Sequence, residues 1–166
     1  CFLNRCKIGK NVFIKPNTII FGATIGDNTT VGPFARIRPG TKIHSSCNIG
    51  NFVEIKNSII GDNTKINHLS YIGDSSLGKN VNIGAGAITC NYDGVNKNKT
   101  IVKDNSFIGS GSMLVAPVII GKGSFIAAGS TITKDTDGAG HLTIARSKQM
   151  TIRNWKTRVN NKPKKK

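Results

Sequence analysis

IGDNTTVGPFARIRPGTKIHSSCNIGNFVEIK, residues 25–56, places an aliphatic side chain at every sixth position: Ile25, Val31, Ile37, Ile43, Ile49 and Ile55. Working outward, the series resumes after a five-residue step at Ile60, Ile66 and Ile72, and after another at Leu77 and Ile83. It returns at Val102, Ile108, Leu114, Ile120, Ile126 and Ile132, and Ile8 and Ile14 extend it upstream. Glycine often follows the aliphatic, as at Gly26, Gly32, Gly50, Gly61, Gly73, Gly84, Gly109 and Gly121. Four residues after the aliphatic comes a small or β-branched side chain, such as Thr29, Ala35, Thr41, Cys47, Val53, Thr64 and Ser70.

An amphipathic helix needs apolar residues at i, i+3, i+4 and i+7, and a half-buried strand alternates, so neither period fits. A period of six suits one short strand plus one corner. Three such units close a triangular coil, and coils stack as parallel strands around an aliphatic interior. Each buried Val, Leu or Ile contributes roughly 1.5–3 kcal/mol, so many layers offset the ordering entropy without bulky aromatics. The expectation is an all-β parallel β-solenoid over residues 1–136, followed by a C-terminal arm and basic tail over 137–166. Within the tail, Gln149 to Val159 reads as a short helix or an arm, and Trp155 as a packing or subunit anchor.

The net charge of +16, from 24 basic against 8 acidic residues, implies an anionic partner. Part of it lies in the terminal lysines Lys162 and Lys164 to Lys166, which read as a solvated tail. Stacking aromatics and base-reading motifs are missing, which argues against specific nucleic-acid recognition. Phosphorylated small molecules fit better. Cys1, Cys6, Cys47 and Cys90 form no paired motif, so reduced thiols in the cytoplasm are expected. No stretch is long and apolar enough to span a membrane as a helix. The chain opens in mid-pattern, as a piece of a longer protein would.

The repeat is interrupted between Ile88 and Ile101 by a polar, turn-rich segment, residues 89–100, which reads as a loop ejected from the scaffold. Such loops either carry function or are tolerated insertions. His68 falls two residues after the inward Ile66 and should project outward, within reach of Tyr71 and of Asn82 on the next coil. It is either a solvated surface residue or a general base. Arg38 and Lys56 follow Ile37 and Ile55 in the same phase, three units apart. They should lie one above the other, either keeping a sheet face soluble or forming a phosphate site. Arg36 lies close by. The small residues of Asn82-Ile83-Gly84-Ala85-Gly86 can expose backbone N–H groups to a ligand. His44, His68 and His141 lack the paired spacing of a zinc site, and no metal is expected.

Several strings carry a more specific signal. They are Gly32-Pro33-Phe34-Ala35-Arg36-Ile37-Arg38-Pro39-Gly40, Gly50-Asn51-Phe52-Val53-Glu54-Ile55-Lys56 and Asn67-His68-Leu69-Ser70-Tyr71-Ile72-Gly73-Asp74. The run from Asn80 through Gly86 to Asn91-Tyr92-Asp93-Gly94, and Leu114-Val115-Ala116-Pro117-Val118, complete the set. Together they resemble the C-terminal domain of the bacterial bifunctional N-acetylglucosamine-1-phosphate uridyltransferase / glucosamine-1-phosphate N-acetyltransferase family, over about Ile8 to Trp155.

The resemblance implies a left-handed winding and a homotrimer with active sites between subunits. It implies acetyl transfer from acetyl-CoA to glucosamine 1-phosphate in UDP-N-acetylglucosamine biosynthesis for the cell wall. His68 would be the general base, and Arg38 and Lys56 would hold the sugar phosphate. Tyr71 and Asn82 would position the sugar, and Asn91 and Tyr92 would contact sugar or CoA from the loop. Ala85, Ser110, Ala128 and Arg146 would line the acetyl-CoA groove, and Glu54 would support His68. Direct attack by the amine requires neither a cysteine nucleophile at Cys90 nor a metal. Uridyl transfer is not expected of this chain alone. Ser70 and Ala87 stand where threonine is usual in the family, and the segment 137–141 is one residue longer, which loosens the placement of Arg146.

Overall fold

A computed structural model describes residues 1–153 and Trp155. The strands wind into a three-sided prism in which every strand pairs only with its counterpart one coil below and one above, always in parallel. The first face stacks eight strands: Phe2–Asn4, Ile19–Phe21, Arg36–Ile37, Glu54–Lys56, Tyr71–Gly73, Ile88–Cys90, Met113–Val115 and Thr131–Ile132. The second stacks seven, from Lys7–Ile8 through Ser75–Leu77 and Thr100–Val102 to Val118–Ile120. The third stacks eight, from Phe13–Ile14 through Asn48–Asn51, Lys65–His68 and Asn82–Ile83 to Leu142–Thr143. The solenoid expected from the six-residue period is the fold observed.

Inside, the aliphatics form three columns. Ile20, Ile37, Ile55 and Ile72 run up the first face, Ile25, Ile43, Ile60 and Leu77 up the second, and Val31, Ile49, Ile66 and Ile83 up the third. Nearly all are completely buried. The small residues four places on fill the corners, and there Thr29, Thr64 and Ser70 bond backbone carbonyls rather than water. That satisfies hydroxyls that burial would otherwise penalise. The five-residue steps, Ile55 to Ile60 and Ile72 to Leu77, are corners between the first and second faces that lack one residue.

Chain direction changes at corners with positive φ. Asparagine tolerates this conformation and takes many of these positions, including Asn28, Asn63, Asn80 and Asn105. The corner leading from the third face to the first instead carries Phe34, Phe52 and Leu69 at φ 55°, 54° and 50°. All three are exposed, and the two phenyl rings stack with centroids 5.3 Å apart. Bulky side chains in the left-handed region cost of order 1–3 kcal/mol each and concentrate at functional surfaces.

At two places the pattern reads differently in three dimensions. The inward position above Ile72 is taken by Thr89, buried, while Ile88 faces outward beside Tyr71. Thr89 is tolerated inside because its hydroxyl oxygen accepts the Gly73 N–H at 2.8 Å. The solenoid also continues past residue 136. Thr136 bridges to Ile120, Leu142–Thr143 adds to the third face, and Ala145 packs against the core. The six-residue spacing is lost there, because Asp137-Gly138-Ala139-Gly140 inserts a turn before the last strand. Gln149 to Arg153 form neither helix nor strand and Trp155 is exposed; residue 154 and residues 156–166, with the rest of the stretch to Val159 and the lysine tail, lie outside the described residues.

The interruption folds as a small hairpin-like excursion between Cys90 and Thr100, with an antiparallel bridge from Tyr92 to Lys97. Asp93 organises it. One carboxylate oxygen accepts the Val95 and Asn96 N–H groups, and the other accepts the Asn98 amide. These bonds hold the Asp93 carboxyl below the usual carboxylate range.

Candidate active site

His68 ends the strand Lys65–His68 on the third face, with its ring exposed. In register it stacks on Asn51 one coil below, and its Nδ1 lies 3.0 Å from Asn51 Oδ1. An amide oxygen only accepts, so in the neutral ring this contact favours the tautomer with the proton on Nδ1 and the Nε2 lone pair free. That tautomer is the one a general base needs. Asn51 was not singled out from the sequence; the signal is its position, 17 residues before His68, which is one coil.

Above His68 the register brings Ala85 rather than Asn82. Asn82 pairs with Lys65, three residues earlier, and so stands at the other end of the strand. The Gly86 N–H reaches the His68 carbonyl, the Gly111 N–H the Ala85 carbonyl, and the Gly129 N–H the Ser110 carbonyl. His68, Ala85, Ser110 and Ala128 therefore form one vertical column. Three side chains no larger than serine leave a smooth track rising from the imidazole. At its top the Arg146 guanidinium donates to the Ala128 carbonyl at 2.6 Å, in place of a backbone N–H from a further coil. Below His68, a cleft of about 350 Å³ is lined by Phe34, Phe52, Asn48, Asn51 and Asn67.

Arg38, Lys56 and Tyr71 lie around the corner on the first face. Arg38 and Lys56 stack as their common phase requires, since Ile55 pairs with Ile37. Each cation has a carboxylate: Arg38 Nη1 donates to Glu54 Oε1 at 2.8 Å, and Lys56 Nζ to Asp74 Oδ2 at 3.0 Å. Glu54, expected to support His68, serves the arginines instead, with Arg36 at 3.8 Å. The reason is again register, because Glu54 sits directly above Arg36. Lys56 pairs in register with Gly73, and the Tyr71 phenol lies across Gly73, where a side chain would exclude it. The phenol and the two cations thus share one patch.

Asn91 is buried at the root of the ejected loop, and its side-chain amide donates to Asp74 Oδ2. Tyr92 is exposed, with its hydroxyl donating to the Gly94 carbonyl at 2.6 Å. Asn57 also donates to Asp74, at 2.7 Å to Oδ1. Asp74, which closes the string Tyr71-Ile72-Gly73-Asp74, is thus a hub of the site. Burial raises the Asp74 carboxyl, but Asn57, Lys56 and Asn91 together outweigh it and hold it below the usual range. The bond to Asp74 raises the Lys56 ammonium and keeps it charged. A second cleft, about 570 Å³, opens on the loop side of Asp74 and is lined by Lys42, Lys97 and Lys99 as well as Asn57. Burial raises the Cys90 thiol, which makes it a poor nucleophile.

Comparison with known proteins bears on the repeat and its kin. The model for the bacterial transferase hexapeptide repeat matches residues 22–57 and 99–134, and that for the hexapeptide repeat of succinyl-transferase matches 5–33. The bifunctional protein GlmU of Ruthia magnifica is 56% identical over 93% of the chain, and that of Nitrosomonas eutropha 53% identical over 96%. Nearly the whole chain is thus similar to one part of the GlmU proteins. It spans 34% of the Ruthia GlmU and 35% of the Nitrosomonas one, so it corresponds to about a third of each bifunctional protein. Among solved structures, a UDP-N-acetylglucosamine acyltransferase, LpxA, from Bacteroides fragilis superposes with TM-score 0.63 at 18% identity, covering 81% of this chain and 66% of that one. A perosamine N-acetyltransferase from Caulobacter crescentus, in complex with CoA and GDP-perosamine, gives 0.61 at 22% identity, covering 70% and 53%. At these identities the two structures establish the common fold. No described helix is long and apolar enough to cross a membrane.

Proposed function

We propose that this domain transfers the acetyl group of acetyl-CoA to the amino group of glucosamine 1-phosphate, giving N-acetylglucosamine 1-phosphate and CoA for UDP-N-acetylglucosamine synthesis in the cytoplasm. The observation that carries the reading is the His68 column: an imidazole with its proton fixed at Nδ1 by Asn51, standing at the foot of the Ala85, Ser110 and Ala128 track. The kinship to GlmU domains supplies the substrate class.

An ammonium has no lone pair with which to attack a thioester. His68 Nε2 takes the proton that the attacking nitrogen must lose, acting as general base. The nitrogen adds to the thioester carbon, an oxyanion forms, and collapse expels the CoA thiolate, which leaves as the thiol once protonated. Donors at the oxyanion contribute most where water is excluded. The narrow track of small residues seats the pantetheine arm, with Arg146 at the far end. Asn82, outward on the third face, and Tyr71 orient the sugar. Asn91 supports the loop from which Tyr92 reaches substrate. Arg38 and Lys56 bind the phosphate with their remaining N–H donors, while Glu54 and Asp74 hold the two cations in place.

His68 and the Arg38–Lys56 patch lie on different faces of one prism. That arrangement, the exposed Phe34, Phe52 and Leu69 ridge, and the stacked Phe107 and Phe125 on the third face all favour a homotrimer whose sites are completed between subunits.

The test is release of CoA from acetyl-CoA with glucosamine 1-phosphate, for the parent and for His68→Ala. General-base removal predicts a fall of about 10²–10⁴ in kcat, and the exposed position predicts an intact fold. Undiminished turnover in the variant refutes the role of His68. No turnover in a folded trimeric parent refutes the choice of acceptor.

A further inference from the structure

Asp74 joins parts of the site that come from three different stretches of chain. It lies at the corner after Tyr71–Gly73, with φ 48°. Its Oδ2 accepts Lys56 Nζ from the coil below and the Asn91 amide from the loop root above. Its Oδ1 accepts the Asn57 amide at 2.7 Å. Its side chain is only 12% exposed, and that of Lys56 only 18%. Other aspartates at corners are used differently: Asp27 and Asp104 accept a backbone N–H, from Lys10 and Lys79, and anchor no loop. Asp62, at another corner, takes the Ser45 N–H and the exposed Lys79 ammonium and also anchors no loop. Asp74 has three side-chain donors, two of them, Lys56 and Asn91, on segments that the acetyltransferase reading assigns to substrate binding.

The loop hangs on one of those donors. Asn91 is buried, and its carbonyl in turn accepts the Asn98 N–H at 2.7 Å, closing the base of the excursion. Lys97, Asn98 and Lys99 then line the same cleft as Asp74 and Asn57. Removing the carboxylate would leave the Lys56 ammonium without its acceptor and release the loop root from the scaffold. The two sets of cations, Lys56 on the scaffold and Lys97 and Lys99 on the loop, keep their spacing only while Asp74 links them.

We propose that Asp74 is a positioning residue that fixes the ejected loop against the Lys56 ammonium, and so sets the affinity of the site for the phosphate of the acceptor sugar. The claim rests on the acetyltransferase reading for its kinetic consequence, and on geometry alone for its structural one. Asp74 touches no reacting atom, so its loss should raise the KM for glucosamine 1-phosphate with little change in kcat, whereas loss of a base lowers kcat.

Two variants separate its roles. Asp74→Asn keeps an oxygen for the Asn91 amide but loses the charge at Lys56. Asp74→Ala loses both. Steady-state kinetics on the full chain should give a KM for glucosamine 1-phosphate raised about tenfold in Asp74→Asn and more in Asp74→Ala, with kcat within about threefold of the parent and KM for acetyl-CoA unchanged. Hydrogen exchange should show the Asn98 amide exchanging at least tenfold faster in Asp74→Ala, and less so in Asp74→Asn, while Ile55 and Ile72 amides keep parental protection. Asp104→Ala, which removes a corner carboxylate of the ordinary kind, should leave KM unchanged. Parental KM and parental loop exchange in both Asp74 variants overturn the proposal, as does a fall in kcat at constant KM. If the parent fails to acetylate glucosamine 1-phosphate, the functional reading falls and the exchange data decide the positioning role. Unchanged Asn98 exchange in Asp74→Ala then overturns it too.

Discussion

Replacing Ile55 by alanine and, separately, Ile8 by alanine tests whether the coils are one closed core or a set of loosely stacked turns. Ile55 is completely buried on the first face, clamped between Ile37 and Ile72. Truncation removes three carbons, about 2.4 kcal/mol of transfer free energy at about 0.8 kcal/mol per methylene, plus a cavity term. The loss should fall within the 2–5 kcal/mol range typical of buried Ile→Ala changes, at about 3 kcal/mol. Ile8 holds the equivalent inward position in the first described coil but is 41% exposed, because only Ile25 covers it, from one side. Its transfer term scales to about 1.4 kcal/mol, with little cavity to add. Urea unfolding followed by circular dichroism at one protein concentration reads the difference. With a slope near 2 kcal/mol/M, Ile55→Ala should move the midpoint by about 1.5 M and Ile8→Ala by about 0.7 M. Equal shifts would refute the closed-core account. A change of slope confined to Ile55→Ala would show instead that the solenoid unfolds in separable blocks.

Gly50→Ala should be among the most damaging single-methyl additions, because a Cβ there would meet the Asn67 carbonyl carbon and oxygen on the strand that carries His68; its Tm should fall well below even that of Gly94→Ala, where φ 101° strains alanine but the methyl would meet nothing. Burial raises the Cys47 thiol to about 11, above its ordinary 9.0. Folding therefore favours the neutral thiol, and that contribution is complete below pH 9.0 and is lost as pH rises towards about 11. Iodoacetamide at pH 8 should label exposed Cys1 readily and Cys47 only on unfolding, as mass mapping would reveal. The depressed carboxyl of Asp74 has the opposite sign. Its contribution is present above the unfolded carboxylate range and is lost as pH falls through the lower folded value, so Asp74→Asn should flatten the acid limb of a stability–pH curve.

The prism was legible in the sequence because its period cannot be satisfied by anything else: Ile25, Val31 and Ile37 belong to three different faces, and each must still point inward. Stacking was legible for the same reason, which is why Arg38 and Lys56 were placed one above the other. What the spacing alone did not give was the finer register of polar groups. His68 was set towards Asn82, yet the coils pair Lys65 with Asn82, so Asn51 and Ala85 are its neighbours. Glu54 was set near His68, yet the side chain turns to Arg38 on its own face. Asp74 is one coil from each of its partners, 17 residues after Asn57, 18 after Lys56 and 17 before Asn91, but a corner position outside the aliphatic phase carries no signal of its own. Thr89 lies outside the aliphatic pattern because a hydroxyl breaks it, although a backbone N–H satisfies that hydroxyl inside. Past Ile132 the period fails altogether, and the last strand is recognised only by its pairing with Phe125–Ile126.

Direct observation of the product tests the central claim most sharply. The purified chain, with acetyl-CoA, should be offered glucosamine 1-phosphate, glucosamine 6-phosphate and glucosamine in parallel, and the products read by proton and phosphorus NMR. The account predicts an N-acetyl signal on the 1-phosphate at least about a hundredfold faster than on unphosphorylated glucosamine, because two cations are reserved for that phosphate. Equal rates on all three acceptors, or acetylation at a hydroxyl in place of the amine, would contradict it.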